Sequence, residues 1–312
     1  MQPAVSIVLP VFNRLKYLRE AIDSVFNQAF RDWELLIADD GSGQETQDYL
    51  RTLDDGLRVK VLWLAHSGNP AAVRNAALRE ATGEYIAFLD SDDMWLPDKL
   101  RTQITMLRSH TGREWSYTGF TLVDDSGIPL SGMRRNGCPA ISGRILDQLL
   151  REEALVVTPS VVARRELLVR VGGYDEALLV CEDYELWVRL ASCSEVAFID
   201  EPLVLVRRHE QHSFDDVACL ENLMLAVQKV QRSGAAWHLN AVLSKRRATI
   251  STNLARRHAL CRNRFRALTT VLRSAHYSWR YWDWWVGALS AMLRAWAPES
   301  ALNAARKYRL RT

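Results

Sequence analysis

The chain has 312 residues, and its hydrophobic content of 48% and charged content of 25% are ordinary for a folded globular protein. This composition excludes collagen-like and intrinsically disordered chains, and no apolar run approaches the roughly 20 residues that a membrane-spanning helix needs. The five cysteines are scattered without a CxxC pair, which excludes a disulfide framework or a zinc site and indicates reduced thiols.

The net charge of +3 is unevenly distributed along the chain. Residues 1–200 hold 21 Lys and Arg against 30 Asp and Glu, a net charge of −9, whereas residues 201–312 hold 19 against 7, a net charge of +12. The acidic part suits a site that binds cations, and the basic part suits phosphate-rich partners such as an anionic membrane surface. The apolar start has no basic stretch before it and no cleavage site after it, so we expect a cytoplasmic protein without a signal peptide.

The first 110 residues alternate between strand and helix patterns. Short β-branched runs predict strands at residues 5–9, 33–38, 59–65 and 84–89. Apolar residues at helical spacing predict helices after Asn13, which we expect to be an N-cap, from Asn69-Pro70 to about residue 81, and from Pro97. This repeated order predicts an α/β fold with a mainly parallel, Rossmann-like sheet and flanking helices.

The second half of the chain has a different pattern. A helix is expected at residues 182–191 and strands at 196–199 and 203–206, and the sequence becomes almost wholly helical beyond about residue 215. We therefore expect an α/β domain at residues 1–213, divided into halves at 1–110 and 111–213. An all-helical extension would follow at residues 214–312.

Carboxylates follow two of the predicted strands. Asp39 and Asp40 follow the second strand, and Asp90, Asp92 and Asp93 follow the fourth. Ligands of open parallel sheets bind at the carboxyl ends of the strands, and carboxylates gathered there repel one another unless a cation is bound. Such hard oxygen ligands suit Mg²⁺ or Mn²⁺. The alternative is that these residues simply form turns after strands.

Several segments resemble glycosyltransferase family 2: VSIVLPVFN at 5–13, IADDGS at 37–42, AVRNA at 72–76 and ATGEYIAFLDSDD at 81–93. The later segments VGGYD at 171–175 and EDYELWVRL at 182–190 are similar to the acceptor-side motif of that family. The resemblance covers roughly residues 3–213 and implies the GT-A fold. It also implies inverting transfer of a single sugar from a nucleotide-diphosphate sugar, with UDP the first expectation, to an acceptor hydroxyl. The Gln-x-x-Arg-Trp motif of processive relatives is absent from the sequence.

The resemblance implies that one set of residues binds the nucleotide: Pro10, Phe12, Asp40, Arg74 and Asp90. The carboxylate of Asp40 would accept the ring N–H of uracil or guanine. Arg74 would reach the base or the phosphates, and its alternative is a solvated charge on a helix. Asp90 would lie towards the ribose.

The resemblance also implies a metal site and a catalytic base. Asp92 would ligate Mn²⁺ or Mg²⁺ at the diphosphate, and His209 is a candidate to complete the site. Asp183 would be the general base that removes the acceptor proton. Its alternative, shared with Glu182, is a role at a helix N-terminus. Three residues would support the site: Asp39, Asp93 and Glu182.

The helical extension is rich in tryptophan and arginine. The predicted helix at 276–296 has one narrow polar stripe among apolar residues, and residues 256–273 are strongly basic. This pattern suits an anionic membrane surface as the partner of residues 256–296, with the protein bound peripherally to the inner face of the membrane, and it suits packing against protein equally well. The alternative is that the apolar face packs on the first domain or on a second copy in a homodimer. The acceptor would be a saccharide or a lipid-linked saccharide, in surface polysaccharide or glycolipid assembly.

Two other functions are alternatives to sugar transfer. A phosphatase of haloacid-dehalogenase type also uses paired aspartates after a strand, but its Asp-x-Asp-x-Thr motif normally lies near the N-terminus. A non-catalytic nucleotide-sugar-binding relative would have the same fold without the base. Dinucleotide-binding and P-loop motifs are absent from the sequence, and we expect no nucleic-acid partner.

Overall fold

The computed structural model describes residues 2–134, 141–208, 217–233 and 237–297, with side chains left out at 131–134 and 233. The chain divides into two compact units, Met1–His212 and Ser213–Thr312. The first unit contains the strands and seven helices of the described residues, and the second unit is helical.

The first unit is built on a sheet of nine strands within the described residues. The strands are β1 (Val5–Val11), β2 (Trp33–Asp39), β3 (Val59–Trp63), β4 (Tyr85–Phe88), β5 (Met94–Trp95), β6 (Arg113–Val123), β7 (Pro129–Arg134), β8 (Val162–Arg164) and β9 (Glu195–Arg207). The helices are α1 (Leu15–Phe26), α2 (Gln44–Leu53), α3 (Pro70–Glu80), α4 (Lys99–Ser109), α5 (Leu146–Leu150), α6 (Arg165–Val171) and α7 (Glu182–Cys193).

The sheet has the strand order β3-β2-β1-β4-β8-β6-β9-β5, with β7 paired to β6. The strands from β3 to β4 are parallel, as the alternation of strands and helices predicts. The other half is mixed, since β8 is antiparallel to both of its neighbours while β6 and β9 are parallel. A short turn rather than a helix connects β6 to β7, so this pair is antiparallel.

The core lies between the parallel strands and the helices that cover them. The β2 strand is buried along its whole length, which explains the apolar run at residues 35–38. Helix α1 contributes Leu18, Ile22 and Val25, which are spaced to lie on one helix face. Each such side chain contributes about 1.5–3 kcal/mol when it is removed from water.

The structure corrects the predicted cap at Asn13. Helix α1 begins at Leu15, and its N-cap residue is Arg14 in a left-handed conformation with φ of 56°. The side chain of Asn13 instead accepts the Gly43 N–H at 2.8 Å, and its own N–H donates to the Ser42 hydroxyl at 2.7 Å. Asn13 therefore joins the loop after β1 to the loop after β2.

Two other predicted features can be compared with the structure. The helix start predicted at Asn69-Pro70 is confirmed, and the side chain of Asn69 caps α3 by accepting the N–H groups of Ala71 and Ala72. The two strands predicted at 196–199 and 203–206 are one strand, β9, whose register against β6 shifts between Thr118 and Phe120.

The second unit consists of α8 (Val217–Ser233), α9 (Asn240–Leu260), α10 (Arg264–Ser278) and α11 (Trp282–Trp296). Helix α9 is central and packs against the other three. The contact with α11 is close, because a Cβ at Gly287 would lie only 1.9 Å from Cγ2 of Thr252. In the described part of the chain, no helix is long and apolar enough to cross a membrane.

Candidate active site

The predicted site residues follow strands that are neighbours in the sheet. The loop after β2 is held against β1, because the Asp40 N–H donates to the Val11 carbonyl at 2.9 Å. On the other side of β1, the Leu89 N–H donates to the Val8 carbonyl at 3.0 Å and leads the chain into Asp90. The carboxyl ends of β2, β1 and β4 therefore bring both aspartate groups to the same edge of the sheet.

The two aspartates after β2 bind their own loops. Asp39 accepts the Ser42 N–H at 3.2 Å, which shapes the turn. The buried carboxylate of Asp40 accepts the N–H and hydroxyl of Ser67 at 2.8 and 2.9 Å and the Gly68 N–H at 2.9 Å, and Nδ1 of His66 lies 3.0 Å away. Burial raises the pKa of Asp40, but these hydrogen bonds and the His66 charge outweigh burial, so its pKa lies below the usual value.

Both carboxylate oxygens of Asp40 are in contact with polar groups of residues 66–68. A carboxylate has about four acceptor positions, and the loop occupies most of them. Asp40 thus positions the loop between β3 and α3. A direct hydrogen bond from Asp40 to a nucleotide base stays a prediction.

An aromatic surface lies next to Asp40. The rings of Phe12 and His66 are stacked, with centroids 4.1 Å apart and an interplanar angle of 19°. Both side chains are about half exposed, and Pro10 beside them is half-buried. Sequence reasoning missed His66, since a lone histidine after a strand gives no signal of its own.

Arg74 is buried, so the alternative of a solvated helix charge is wrong. Its guanidinium donates to Asp90 at 2.6 Å and to Glu182 at 2.7 Å, and it lies 5.5 Å from the centre of the Tyr174 ring. Burial lowers the pKa of Arg74, but the charges of Asp90, Tyr174 and Glu182 raise it further, so the group stays charged. Arg74 therefore links the end of β4 to the start of α7.

Two other arginines bind the loop after β4. The guanidinium of Arg14 pairs with the carboxylate of Asp92. Arg207, at the end of β9, donates its N–H to Asp93 at 2.8 Å and its Nε–H to the Asp92 carbonyl at 3.0 Å. The Arg207 side chain is fully buried. Neither arginine was predicted from the sequence, because their roles depend on contacts between residues distant in the chain.

Five carboxylates form what we call the carboxylate cluster: Asp90, Asp92, Asp93, Glu182 and Asp183. Burial and the charges of Asp92 and Asp90 raise the pKa of Asp93 well above its usual value. The pKa of Asp90 is raised by burial and by Asp92 even though Arg74 opposes the shift. Within the described residues, the carboxylates of the cluster outnumber the guanidinium groups that bind them.

This excess of negative charge fits a divalent cation, because burial and mutual repulsion raise the pKa values of Asp90, Asp93 and Glu182. Among the residues that the structure describes, no three His, Cys, Asp or Glu side chains are arranged to hold a metal by themselves. Asp92 would therefore need ligands from a bound diphosphate, as is usual for Mg²⁺. His209, the second predicted ligand, lies outside the described residues.

Asp183 lies in the first turn of α7 beside Glu182. Its Oδ2 accepts the hydroxyl of Thr158 at 2.8 Å, and its side chain is half-buried. The N-cap position is Cys181, in a left-handed conformation with φ of 60°, and no side chain caps it. Asp183 therefore does not cap the helix by the usual contact, although its charge favours the helix N-terminus. Thr158 was not predicted.

The model of glycosyl transferase family 2 matches residues 6–112. The chain is also 30% identical, over 196 residues, to an Escherichia coli protein named UDP-Glc:alpha-D-GlcNAc-diphosphoundecaprenol beta-1,3-glucosyltransferase WfgD, covering 63% of this chain and 73% of that protein. The chain belongs to glycosyltransferase family 2. This membership excludes the haloacid-dehalogenase alternative.

Solved structures share the fold of this family 2 chain. Staphylococcus aureus TarS 1–349 in complex with UDP-GlcNAc is 18% identical with a TM-score of 0.60, and 89% of each chain is covered. A mannosyltransferase from Pyrobaculum calidifontis in complex with GDP-Man and Mn²⁺ is 16% identical with a TM-score of 0.58, covering 95% of this chain and 86% of that one. The predicted GT-A fold with a helical extension is confirmed. The chain spans only 35%, 51% and 64% of the length of three other curated relatives.

Proposed function

We propose that the protein is an inverting glycosyltransferase that moves a single sugar from a nucleotide-diphosphate sugar to an acceptor hydroxyl. The observation that carries this proposal is the carboxylate cluster, which lies at the carboxyl edge of the sheet with Asp92 and Asp183 on different elements. The reaction needs one carboxylate to hold the metal at the donor phosphates and another to deprotonate the acceptor.

The nucleotide base would stack on the exposed pair of Phe12 and His66. Aromatic stacking does not discriminate between bases. Specificity for one base must therefore come from groups that bind its edge, such as the main chain at Pro10. Asp40 supports this site by holding His66 and Ser67 in place. UDP is the first candidate because the E. coli relative is named for UDP-Glc and the TarS structure holds UDP-GlcNAc. GDP is the second, as in the GDP-Man complex.

The diphosphate and its cation would bind at Asp92. The carboxylate of Asp92, with phosphate oxygens and the predicted ligand His209, would hold Mn²⁺ or Mg²⁺, which when bound stabilises negative charge on the leaving diphosphate. Arg14 forms an ion pair with the Asp92 carboxylate, and its guanidinium would move to the phosphates when the donor binds. Asp93 is kept from this role by Arg207, so it supports the loop.

Asp183 would act as the general base. It takes the proton of the acceptor hydroxyl while the acceptor oxygen forms a bond to the anomeric carbon and the bond from that carbon to the diphosphate oxygen breaks. Attack opposite the leaving group inverts the anomeric configuration. The hydrogen bond from Thr158 fixes the orientation of the carboxylate. Arg74 keeps Glu182 and Asp90 out of this step, because its guanidinium holds one oxygen of each carboxylate.

The acceptor would be a saccharide on a lipid diphosphate or a growing surface polysaccharide. The name of the E. coli relative supports this part of the proposal, because it specifies a diphosphoundecaprenol-linked sugar as the acceptor.

Titration calorimetry tests the donor site directly. UDP, GDP, dTDP and CDP are each titrated into the wild-type protein and into Asp92→Ala, with and without Mn²⁺. Asp98→Ala is the matched control, because Asp98 is a half-exposed carboxylate paired with Arg101 at the surface. We expect one nucleotide to bind in a Mn²⁺-dependent manner, with affinity at least about tenfold lower in Asp92→Ala and unchanged in Asp98→Ala.

The alternative of a non-catalytic relative makes a different prediction. Such a protein would bind the nucleotide, but with Mn²⁺ present it would neither transfer nor hydrolyse the sugar of the matching donor. Failure of all four nucleotides to bind would overturn the proposed donor site.

A further inference from the structure

Helix α11 exposes an apolar face that is continuous from end to end. Its buried residues, such as Trp284, Ala288 and Ala291, face the neighbouring helices of the second unit. On the opposite side lie large apolar side chains that are between 49% and 77% exposed: Trp282, Trp285, Val286, Leu289, Leu293 and Trp296. Their spacing of three and four residues places them on one face of about a third of the helix circumference. An apolar face of this size is unusual on a protein surface in water.

Helix α10 exposes a second apolar row beside a row of arginines. Phe265, Leu272 and Trp279 are exposed by 56% to 83% and recur every seven residues. The next position in each repeat is an exposed arginine: Arg266, Arg273 and Arg280. Residues seven apart lie on almost the same side of a helix, so Phe265 with Leu272 and Arg266 with Arg273 form adjacent apolar and basic rows on α10. Trp279 and Arg280 follow in the turn directly after the helix.

The two apolar faces meet at the junction of the helices. The indole N–H of Trp285 donates to the Trp279 carbonyl at 2.8 Å, which places the end of the α10 row next to the start of the α11 face. We call these exposed apolar residues of α10 and α11 the apolar surface. Between residues 262 and 296 the sequence contains six arginines and a single carboxylate, Asp283, so the surroundings of the apolar surface are strongly basic.

A basic cavity lies along the side of α11. It has a volume of about 580 Å³, and Arg256, Arg257, Arg294, Asn253 and Ser290 are among the residues that line it. In the part of the chain that the structure describes, Nε of Arg256 is buried without a hydrogen-bond partner. Ser290, which lines the cavity, lies one helical turn after Val286 of the apolar face, so the cavity borders that face.

We propose that the helical unit binds the interface of an anionic lipid bilayer, with the apolar surface among the acyl chains and the arginines on lipid phosphates. Tryptophan and arginine are the side chains that suit this interface, because each has an apolar body and a polar or charged end. The basic cavity would hold the phosphate of one headgroup. A second copy of the chain fits less well, because pairing this surface with itself would bring two sets of exposed arginines together.

The geometry of α11 favours binding at the surface of the bilayer over insertion across it. The apolar surface covers one side of α11 while its opposite side is buried in the unit, so the helix would lie in the plane of the interface. The proposal does not depend on the proposed function, since none of its residues belongs to the carboxylate cluster.

Vesicle sedimentation with the full chain tests the proposal. Sucrose-loaded vesicles contain phosphatidylcholine alone or phosphatidylcholine with phosphatidylglycerol. We expect binding to the anionic vesicles to be at least about tenfold stronger than to the zwitterionic ones. The double substitution Leu289→Ser and Leu293→Ser should weaken binding to the anionic vesicles by about tenfold or more. Its matched control is Ile128→Ser with Val169→Ser, which removes similarly exposed apolar side chains from the first unit.

The basic residues are tested by a second pair of variants. Replacing Arg266, Arg273 and Arg280 with Gln should weaken binding to anionic vesicles about tenfold or more, whereas replacing Arg101, Arg144 and Arg151 of the first unit with Gln should have little effect. Arg294→Gln should reduce the preference for phosphatidylglycerol. Circular dichroism and nucleotide titration of each variant show that it is folded.

Three results would overturn the proposal. One is unchanged vesicle binding after the two leucines are replaced. Another is an equal loss in both arginine triples, which would mean that net charge alone attracts the protein. The third is the absence of vesicle binding together with a dimer in sedimentation velocity that the leucine variant dissociates, because a second copy would then cover the apolar surface.

Discussion

The two units of the chain use arginine in opposite ways. In the first unit Arg74 and Arg207 are buried, and each binds carboxylates or carbonyl groups on elements that are distant in sequence. In the second unit Arg266, Arg273 and Arg280 are exposed next to apolar side chains that are themselves exposed. Buried and paired arginines fix the geometry of a site. Exposed arginines beside exposed apolar residues suit a surface that binds a lipid bilayer.

The difference shows where precise positions matter. Chemistry at an anomeric carbon requires a base and a phosphate site held in fixed positions, and the first unit provides such positions through its ion pairs. Binding to a bilayer requires only area and charge, and the second unit provides both through a repeated pattern. In the first unit, the effect of a substitution on activity or stability should therefore depend on which atoms are removed. In the second unit, its effect on membrane binding should depend on the helix face that carries the substituted residue.

The largest effect is expected at Asp183. Asp183→Asn should lower the transfer rate by about 10²- to 10⁴-fold, because an amide cannot take the acceptor proton. Nucleotide binding and vesicle binding should remain at wild-type values. Kinetics with the donor identified by calorimetry provide the measurement, and Glu153→Gln, an exposed acid outside the site, is the control. A rate within threefold of wild type, on the order of 0.6 kcal/mol, would remove Asp183 from the base role.

Removal of the buried arginine should have the next largest effect, this time on stability. Arg74→Met leaves the carboxylates of Asp90 and Glu182 without their cation, which should cost about 3–5 kcal/mol. Denaturant unfolding of the first unit measures this loss. Arg79→Met on the same helix is the control, since Arg79 is exposed and its contact with Glu176 is 3.8 Å long. Similar stabilities of the two variants would show that Arg74 is not a structural centre of the site.

A smaller effect should appear in the second unit. A Cβ added by Gly287→Ala would lie 1.9 Å from Cγ2 of Thr252, and the buried threonine has little freedom to move. We expect a loss of about 1–3 kcal/mol in the unfolding of the helical unit and no change in nucleotide binding. Adding Thr252→Ser removes the clashing methyl but keeps the hydroxyl that donates to Ala248, so the double variant should recover most of the loss. Without such recovery, the contact between α9 and α11 would have to differ from the one described.

The smallest effect is expected at Asp40, and it should depend on pH. The pKa of folded Asp40 lies below its ordinary value, so the unfolded state binds protons more strongly and ionisation stabilises the fold. This stabilisation is fully present above about pH 5 and is lost as the pH falls through the unfolded pKa of about 3.9 towards the lower folded pKa. Asp40→Asn should cost about 1–2 kcal/mol at neutral pH, and the difference from wild type should shrink in acid.

Thermal unfolding of wild type and Asp40→Asn across this pH range provides the measurement. A difference that stays constant down to about pH 3 would mean that the charge of Asp40 does not support the loop of residues 66–68.

The fold was predictable where local patterns repeat. The alternation of strands and helices in the first 110 residues predicted the parallel half of the sheet, and Asn69-Pro70 predicted the start of α3. The mixed half was not predicted, because the pairing of β8 between β4 and β6 depends on contacts between distant segments. Asn13 was misread for the same reason, since its partners Ser42 and Gly43 lie after another strand.

The acidic residues of the candidate site were predictable from the sequence, whereas the arginines that bind them were not. Aspartates at strand ends are visible in the sequence because parallel strands bring their carboxyl ends to one edge. Arg14 and Arg207 were not found, since an arginine that pairs across the fold looks like any surface arginine in the sequence. The apolar pattern of α11 was visible in the sequence, but whether its apolar face is packed or exposed was left open, and the single helix predicted at 276–296 is divided between α10 and α11. The seven-residue spacing of Arg266, Arg273 and Arg280 became apparent only with the exposure of each side chain.

The most direct test of the account is a crossed binding measurement on two variants of the full chain. Asp92→Ala and the pair Leu289→Ser with Leu293→Ser are each titrated with the identified nucleotide plus Mn²⁺ and, separately, with anionic vesicles. The account predicts that Asp92→Ala loses nucleotide binding and keeps vesicle binding, and that the leucine variant shows the reverse. Loss of both activities in either variant, or full nucleotide binding in Asp92→Ala, would contradict the assignment of donor chemistry to the first unit and membrane binding to the second.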